Sequence, residues 1–159
     1  MAMGFPEESA SPVRTTRKHP SPLEDSDSSN DVPAPLVLNQ VMADLLRLTE
    51  ELGPTHIKVA ETWNSLGLIR LHMQNNIEAA IKCHREALSI YRTNQDATNL
   101  ATAVTLNDLG RCYERLHDCA TALQTYEQAA ELMQKDPTIR KNHTFLESVL
   151  RSMARLRRE

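Results

Sequence analysis

Glycine is scarce in this 159-residue chain, with four residues that never cluster, which excludes the glycine-rich loops that cradle phosphate through backbone N–H groups. Cysteine is scarce too. Cys83, Cys112 and Cys119 are an odd count without a CxxC pair, and no secretory signal opens the sequence, so a disulfide framework is excluded and a reducing, cytoplasmic compartment is expected. No apolar run approaches the length of a membrane-spanning helix. There is also no excess of one charge sign outside the first 35 residues. Three basic residues in that stretch stand against six acidic ones, and the remaining 124 residues carry fifteen of each sign. A neutral body lacks the positive field that general nucleic-acid or membrane-surface binding requires.

What is present is unevenly placed. Six of the eight prolines and six serines fall within residues 1–35, beside few large apolar side chains. Such a segment buries too little surface to offset its ordering entropy, so a disordered Ser/Pro/acidic tail is expected there. Its acidic stretch from Glu24 to Asp31 has two readings: an inert solubilising tail, or a tethered competitor for a basic surface on the body.

The body repeats. Ile77, Ala80, Ile81, His84, Ala87, Leu88 and Tyr91 lie on one helical face, and a step of 42 residues leads to Cys119, Ala122, Leu123, Tyr126, Ala129, Ala130 and Met133. The helix before it repeats with a step of 43: Ala60, Trp63, Leu66, Gly67, Arg70 and Met73 map onto Ala103, Leu106, Leu109, Gly110, Tyr113 and Leu116. The extra residue is placed in the first turn, Gln74-Asn75-Asn76, where a surface loop absorbs it cheaply. A third copy of the first helix begins near Leu150. A leucine stripe from Leu38 to Leu52 precedes the first copy and ends at Gly53-Pro54, a helix stop. Six helices are predicted, at about 36–52, 55–73, 76–93, 97–117, 119–134 and 137–157, with Asp136-Pro137 opening the last. The domain organisation expected is a tail at 1–35 and an all-α domain at 36–159, in which a lone helix (36–52), two hairpin repeats (55–93 and 97–134) and a terminal helix (137–157) follow one another.

The patterns Trp63-x2-Leu66-Gly67 with Ala80-x3-His84-x2-Ala87, and Leu109-Gly110-x2-Tyr113 with Ala122-x3-Tyr126-x2-Ala129, resemble the tetratricopeptide repeat. The 42-residue step and Leu52-Gly53-Pro54-Thr55-His56-x2-Val59-Ala60 resemble its kinesin light chain type. The resemblance implies an antiparallel helix-hairpin superhelix in which Gly67, Gly110, Ala80 and Ala122 permit close helix approach. It also implies that the first helix of each pair lines a concave groove. In the family an asparagine three residues before the glycine commonly bonds a bound peptide, and Asn64 and Asn107 match it, with Arg151 in the third copy. One position after the glycine, and one turn beyond, come Leu68 and His72, Arg111 and Arg115, then Arg155 and Glu159. Arg111, Arg115, Arg151 and Arg155 would give a basic lining, interrupted by Glu114, with guanidinium forks suited to carboxylates. For each asparagine a bond to the neighbouring helix is the alternative, and for the arginines a solvated surface. A clamp for chaperone C-termini is not implied, because Leu68 and Arg111 stand where that clamp has lysine and asparagine.

No catalytic constellation, cofactor site or metal site is read from the sequence. Cys83 and His84 are adjacent and point apart on a helix, and His117-x-Cys119 lacks two further ligands nearby. The function expected is that of a non-enzymatic adaptor holding a partner segment, acidic by preference, in the groove. The alternative is a structural subunit that self-associates, or stacks on another helical protein, through the apolar ends of the array.

Overall fold

The computed structural model describes residues 34–94, 97–137 and 143–158. The tail expected at 1–35, with its acidic stretch, lies outside them except for its last two residues. Six helices make up the described body: α1 (Ala34–Leu52), α2 (Ile57–His72), α3 (Ile77–Thr93), α4 (Asn99–Arg115), α5 (Cys119–Lys135) and α6 (His143–Leu156). No strand occurs among the described residues. α1 begins at Ala34 rather than at residue 36, taking Pro35 into its first turn, where a missing N–H removes no helical bond. Asp136 closes α5 as its C-cap. The described part of the terminal helix begins at His143, and residues 138–142, over which that helix was expected to start, lie outside the described set.

Local chemistry explains the boundaries. Gly53 adopts φ 88°, which a side chain would resist, and its N–H reaches the carbonyl of Thr49 at 3.1 Å to end α1. Asn76 and Asp118, 42 residues apart, are N-caps whose side chains accept from the N–H groups of Ala79 and Thr121 at 3.0 and 3.1 Å. The residues before them, Asn75 and His117, both have positive φ. The N–H of Asn76 reaches the carbonyl of Arg70 while that of Asp118 reaches Tyr113. The first turn therefore spans one residue more, which places the insertion where the repeat comparison predicts it.

α2 and α3 form one antiparallel hairpin and α4 and α5 the next, with α1 packed on α2, α3 on α4 and α5 on α6. The open end of each hairpin is tied by an asparagine: Asn94 donates to the carbonyl of Thr55 at 3.2 Å, and Asn99 to Asp136 at 3.0 Å. One apolar cluster joins Leu45 of α1 to Val59, Leu66, Ala87 and Tyr91. The other runs from Leu71 through Leu106, Tyr126 and Met133 to Val149 and Met153 of α6. Ala80 and Ala122 are fully buried where the hairpins close. Trp63, a repeat position of α2, is half-buried at the margin of the first cluster.

Candidate functional site: inner and outer grooves

The paired helices give the body two faces. The inner one is built from α2, α4 and α6, and the outer one from α1, α3 and α5. Between α4 and α6 lies an inner cavity of about 440 Å³, floored by Tyr126 of α5. It gathers four of the groove residues expected from the sequence: Asn107, Arg111, Arg115 and Arg155. Ser148 and Ser152 complete its α6 wall. Arg151 is exposed on α6 and is not part of that wall. Asn64, Leu68 and His72 belong to α2, one helix away.

The arginines are less available than a free basic lining would be. Arg155 pairs with Glu114, whose second oxygen accepts from the Tyr126 hydroxyl at 3.1 Å, so three helices meet at one carboxylate. Arg115 donates to the carbonyl of Leu71 at 3.1 Å and to the Asn75 side chain. It thus caps α2 from the neighbouring hairpin. Arg111 lies 3.8 Å from Asp108, a long contact between a half-exposed guanidinium and a buried carboxylate. Burial pushes the Asp108 carboxyl up, while Arg111, Asn64 and Asn107 pull it back.

Asn64 turns inward. Its Oδ1 accepts from Nδ1 of His84 at 2.7 Å, which makes His84 the Nδ1–H tautomer and leaves Nε2 a buried acceptor without a partner among the described residues. Of the two readings for this asparagine, the bond to the neighbouring helix is the one observed. The imidazole is fully buried and its pKa is pushed down to about 4, by burial first and then by Arg111 and His72. It occupies the position that Tyr126 holds 42 residues later.

Two larger hollows open on the outer face and are repeat equivalents of one another. The first, about 880 Å³, lies between α1 and α3 over α2, lined by Met42, Leu46, Trp63 and Leu66, with Arg70 at its side. The second, about 530 Å³, lies between α3 and α5 over α4, lined by Arg85, Ser89, Arg92, Leu106, Tyr113 and Gln128 among others. Neither is among the sites expected from the repeat pattern. Their signal was the contrast between equivalent positions 43 apart: Met42 and Leu46 against Arg85 and Ser89.

The model of the tetratricopeptide repeat family matches residues 71–135, from the end of α2 through α5. These residues are tetratricopeptide repeats. The fold is shared with the solved structure of BtubC (BKLC) from P. vanneervenii, a kinesin light chain-like repeat protein, at a TM-score of 0.59 and 20% identity over 79% of this chain. The chain spans 56% of that protein's length. A search of curated proteins finds no match. Tetratricopeptide repeats are a non-enzymatic scaffold that mediates protein–protein interaction. No helix among the described residues is long and apolar enough to cross a membrane.

Proposed function

We propose that this repeat protein is an adaptor whose inner groove takes an acidic segment of a partner protein. The observation that carries the reading is the α4–α6 cavity, where three guanidiniums, an asparagine and two serines surround a single carboxylate, Glu114. Arg111 supplies the charge that is least committed, since its 3.8 Å contact with Asp108 is long and its side chain is half-exposed. Asn107 and Ser152 supply the polar groups that fix an extended backbone in place. Arg115 and Arg155 frame the site, and Arg151, Leu68 and His72 extend the surface on either side. We place the protein in the cytoplasm, a setting that suits its three unpaired cysteines.

Calorimetric titration of the full chain with an acidic peptide tests this. Arg111→Glu is expected to weaken binding by more than about tenfold, with a marked salt dependence in the parent complex. Equal binding by the charge-reversed protein would sink the basic-groove reading.

A second reading rests on α1. Leu36, Met42, Leu46 and Leu52 are exposed on it, Leu46 by 66%, apolar surface that a second copy or another helical protein could cover. Sedimentation separates the two: a monomer across the micromolar range favours the adaptor, and a dimer that dissociates and loses stability on dilution favours self-association.

A further inference from the structure

The outer hollow between α3 and α5 differs from the inner groove in one respect: its lining contains no carboxylate. Arg85 and Arg92 stand on its α3 wall, two helical turns apart. Arg85 is held in place, donating to the Tyr113 hydroxyl at 2.6 Å with its guanidinium carbon 6.0 Å from the ring centroid. A guanidinium fixed by one N–H keeps four others for a ligand and loses little freedom on binding. Arg92 is exposed and makes no bond or ion pair among the described residues. Leu88, Leu106 and Leu109 form an apolar floor between them. An adjoining hollow shares Arg92, Leu106 and Gln128 and adds Lys135 and Glu131, whose charges are paired with each other at 3.4 Å, so the two arginines carry the net charge of this face.

We infer that this outer groove is a second binding site, for an extended peptide carrying two carboxylate side chains three residues apart with an apolar residue between them. The register follows from geometry. Seven residues of α-helix separate the guanidinium stems by about 10.5 Å, and three residues of polyproline-type chain advance about 9.3 Å while returning to the same face. Acidic side chains at i and i+3 therefore meet Arg85 and Arg92 together, and the residue between them rests on the leucine floor. The equivalent hollow between α1 and α3 cannot take this ligand. Met42 and Leu46 stand there in place of Arg85 and Ser89, and Glu50 and Glu86 lie on its walls.

The test uses the full chain and a blocked eight-residue peptide centred on Glu-Leu-Pro-Glu, followed by fluorescence anisotropy and by amide shifts in 1H–15N spectra. Saturable binding is expected, with shifts at Ser89, Arg92, Thr121 and Gln128. Read from the shifts at those four residues, Arg85→Gln combined with Arg92→Gln should weaken binding about tenfold, and Arg92→Gln alone about threefold. Arg92→Gln removes no internal bond, so its effect is readable even if the double variant folds poorly. A control with the two glutamates adjacent should bind several-fold more weakly. The inference is overturned if the Arg92→Gln variant binds like the parent, if the two peptides bind equally, or if no saturable binding occurs. Loss of binding on Arg111→Gln alone would assign the peptide to the inner groove, overturning the outer site while leaving the adaptor reading intact.

Discussion

The ring of His84 lies directly under Gly67: a Cβ placed on that glycine would come within 2.5 Å of Cε1 of His84 and 2.7 Å of its Nε2. Gly110 stands over the Tyr126 ring in the same way, at 2.7 Å. Both contacts are too short for any side chain. The aromatic beneath is fully buried in each case and held by a hydrogen bond, to Asn64 or to Glu114.

Gly67→Ala is therefore expected to destabilise the chain by about 1–3 kcal/mol, because overpacking outweighs the gain of about 1 kcal/mol from better helix propensity. Combining it with His84→Ala should recover part of the loss, since the smaller residue vacates the space that the new methyl needs. Urea denaturation of the single and double variants checks this. A Gly67→Ala variant as stable as the parent would show that the ring can move aside.

The same imidazole makes stability depend on pH. Its folded pKa, about 4, lies below the ordinary 6.5, so the unfolded chain binds the extra proton between these values. Stability is complete above about pH 6.5 and falls as pH drops towards 4, by up to about 3 kcal/mol at 1.36 kcal/mol per pH unit. Asp108, with its carboxyl pushed up by burial, acts in the opposite sense and flattens the lower end of the slope. His84→Tyr, which copies the second repeat, should remove the histidine part of the slope. Midpoints measured at pH 7 and pH 5 that differ as much in the variant as in the parent would refute the assignment.

Arginines of the inner face should divide by their bonds. Arg115→Ala removes donors from the Leu71 carbonyl and the Asn75 side chain and should cost about 1–2 kcal/mol. Arg151→Ala removes no bond among the described residues and should stay within about 0.5 kcal/mol. Chemical denaturation distinguishes them, and equal effects would mean that the Arg115 bonds contribute nothing net.

Replacing the fully buried Ala122 by Leu forces three extra carbons into the closed side of the second hairpin and should cost about 1–3 kcal/mol. A variant that melts like the parent would mean that the α4–α5 contact is looser than the structure shows.

The hairpins were legible because close packing leaves a periodic mark: Gly67 with His84 and Gly110 with Tyr126 recur at nearly fixed steps, as do the caps Asn76 and Asp118. The grooves were legible only in part. Asn107, Arg111, Arg115 and Arg155 share a cavity as a repeat comparison suggests, yet the α6 wall is made by Ser148 and Ser152, not Arg151. Which residue of a helix faces a neighbour depends on the rotation of each helix at its crossing, and a repeat count does not encode that. Ser148, Ser152 and Arg155 do follow an i, i+4, i+7 stripe, which could have picked out that wall. The pairings that restrain the arginines were beyond reach, because Arg155 to Glu114 and Arg115 to Leu71 join residues more than forty apart through side-chain reach alone.

The bond from Arg115 to the last turn of α2 bears on how far the repeats are interchangeable. It crosses from the second hairpin to the turn of the first, and it needs an arginine at a position that holds His72 one repeat earlier. A duplicated copy of the first repeat, spliced in after itself, would present that histidine at the new junction and leave the carbonyl of Leu71 without its guanidinium. The two hairpins are thus matched to one another as neighbours in a fixed order. An array lengthened by copying would have to evolve the latch again at each added joint.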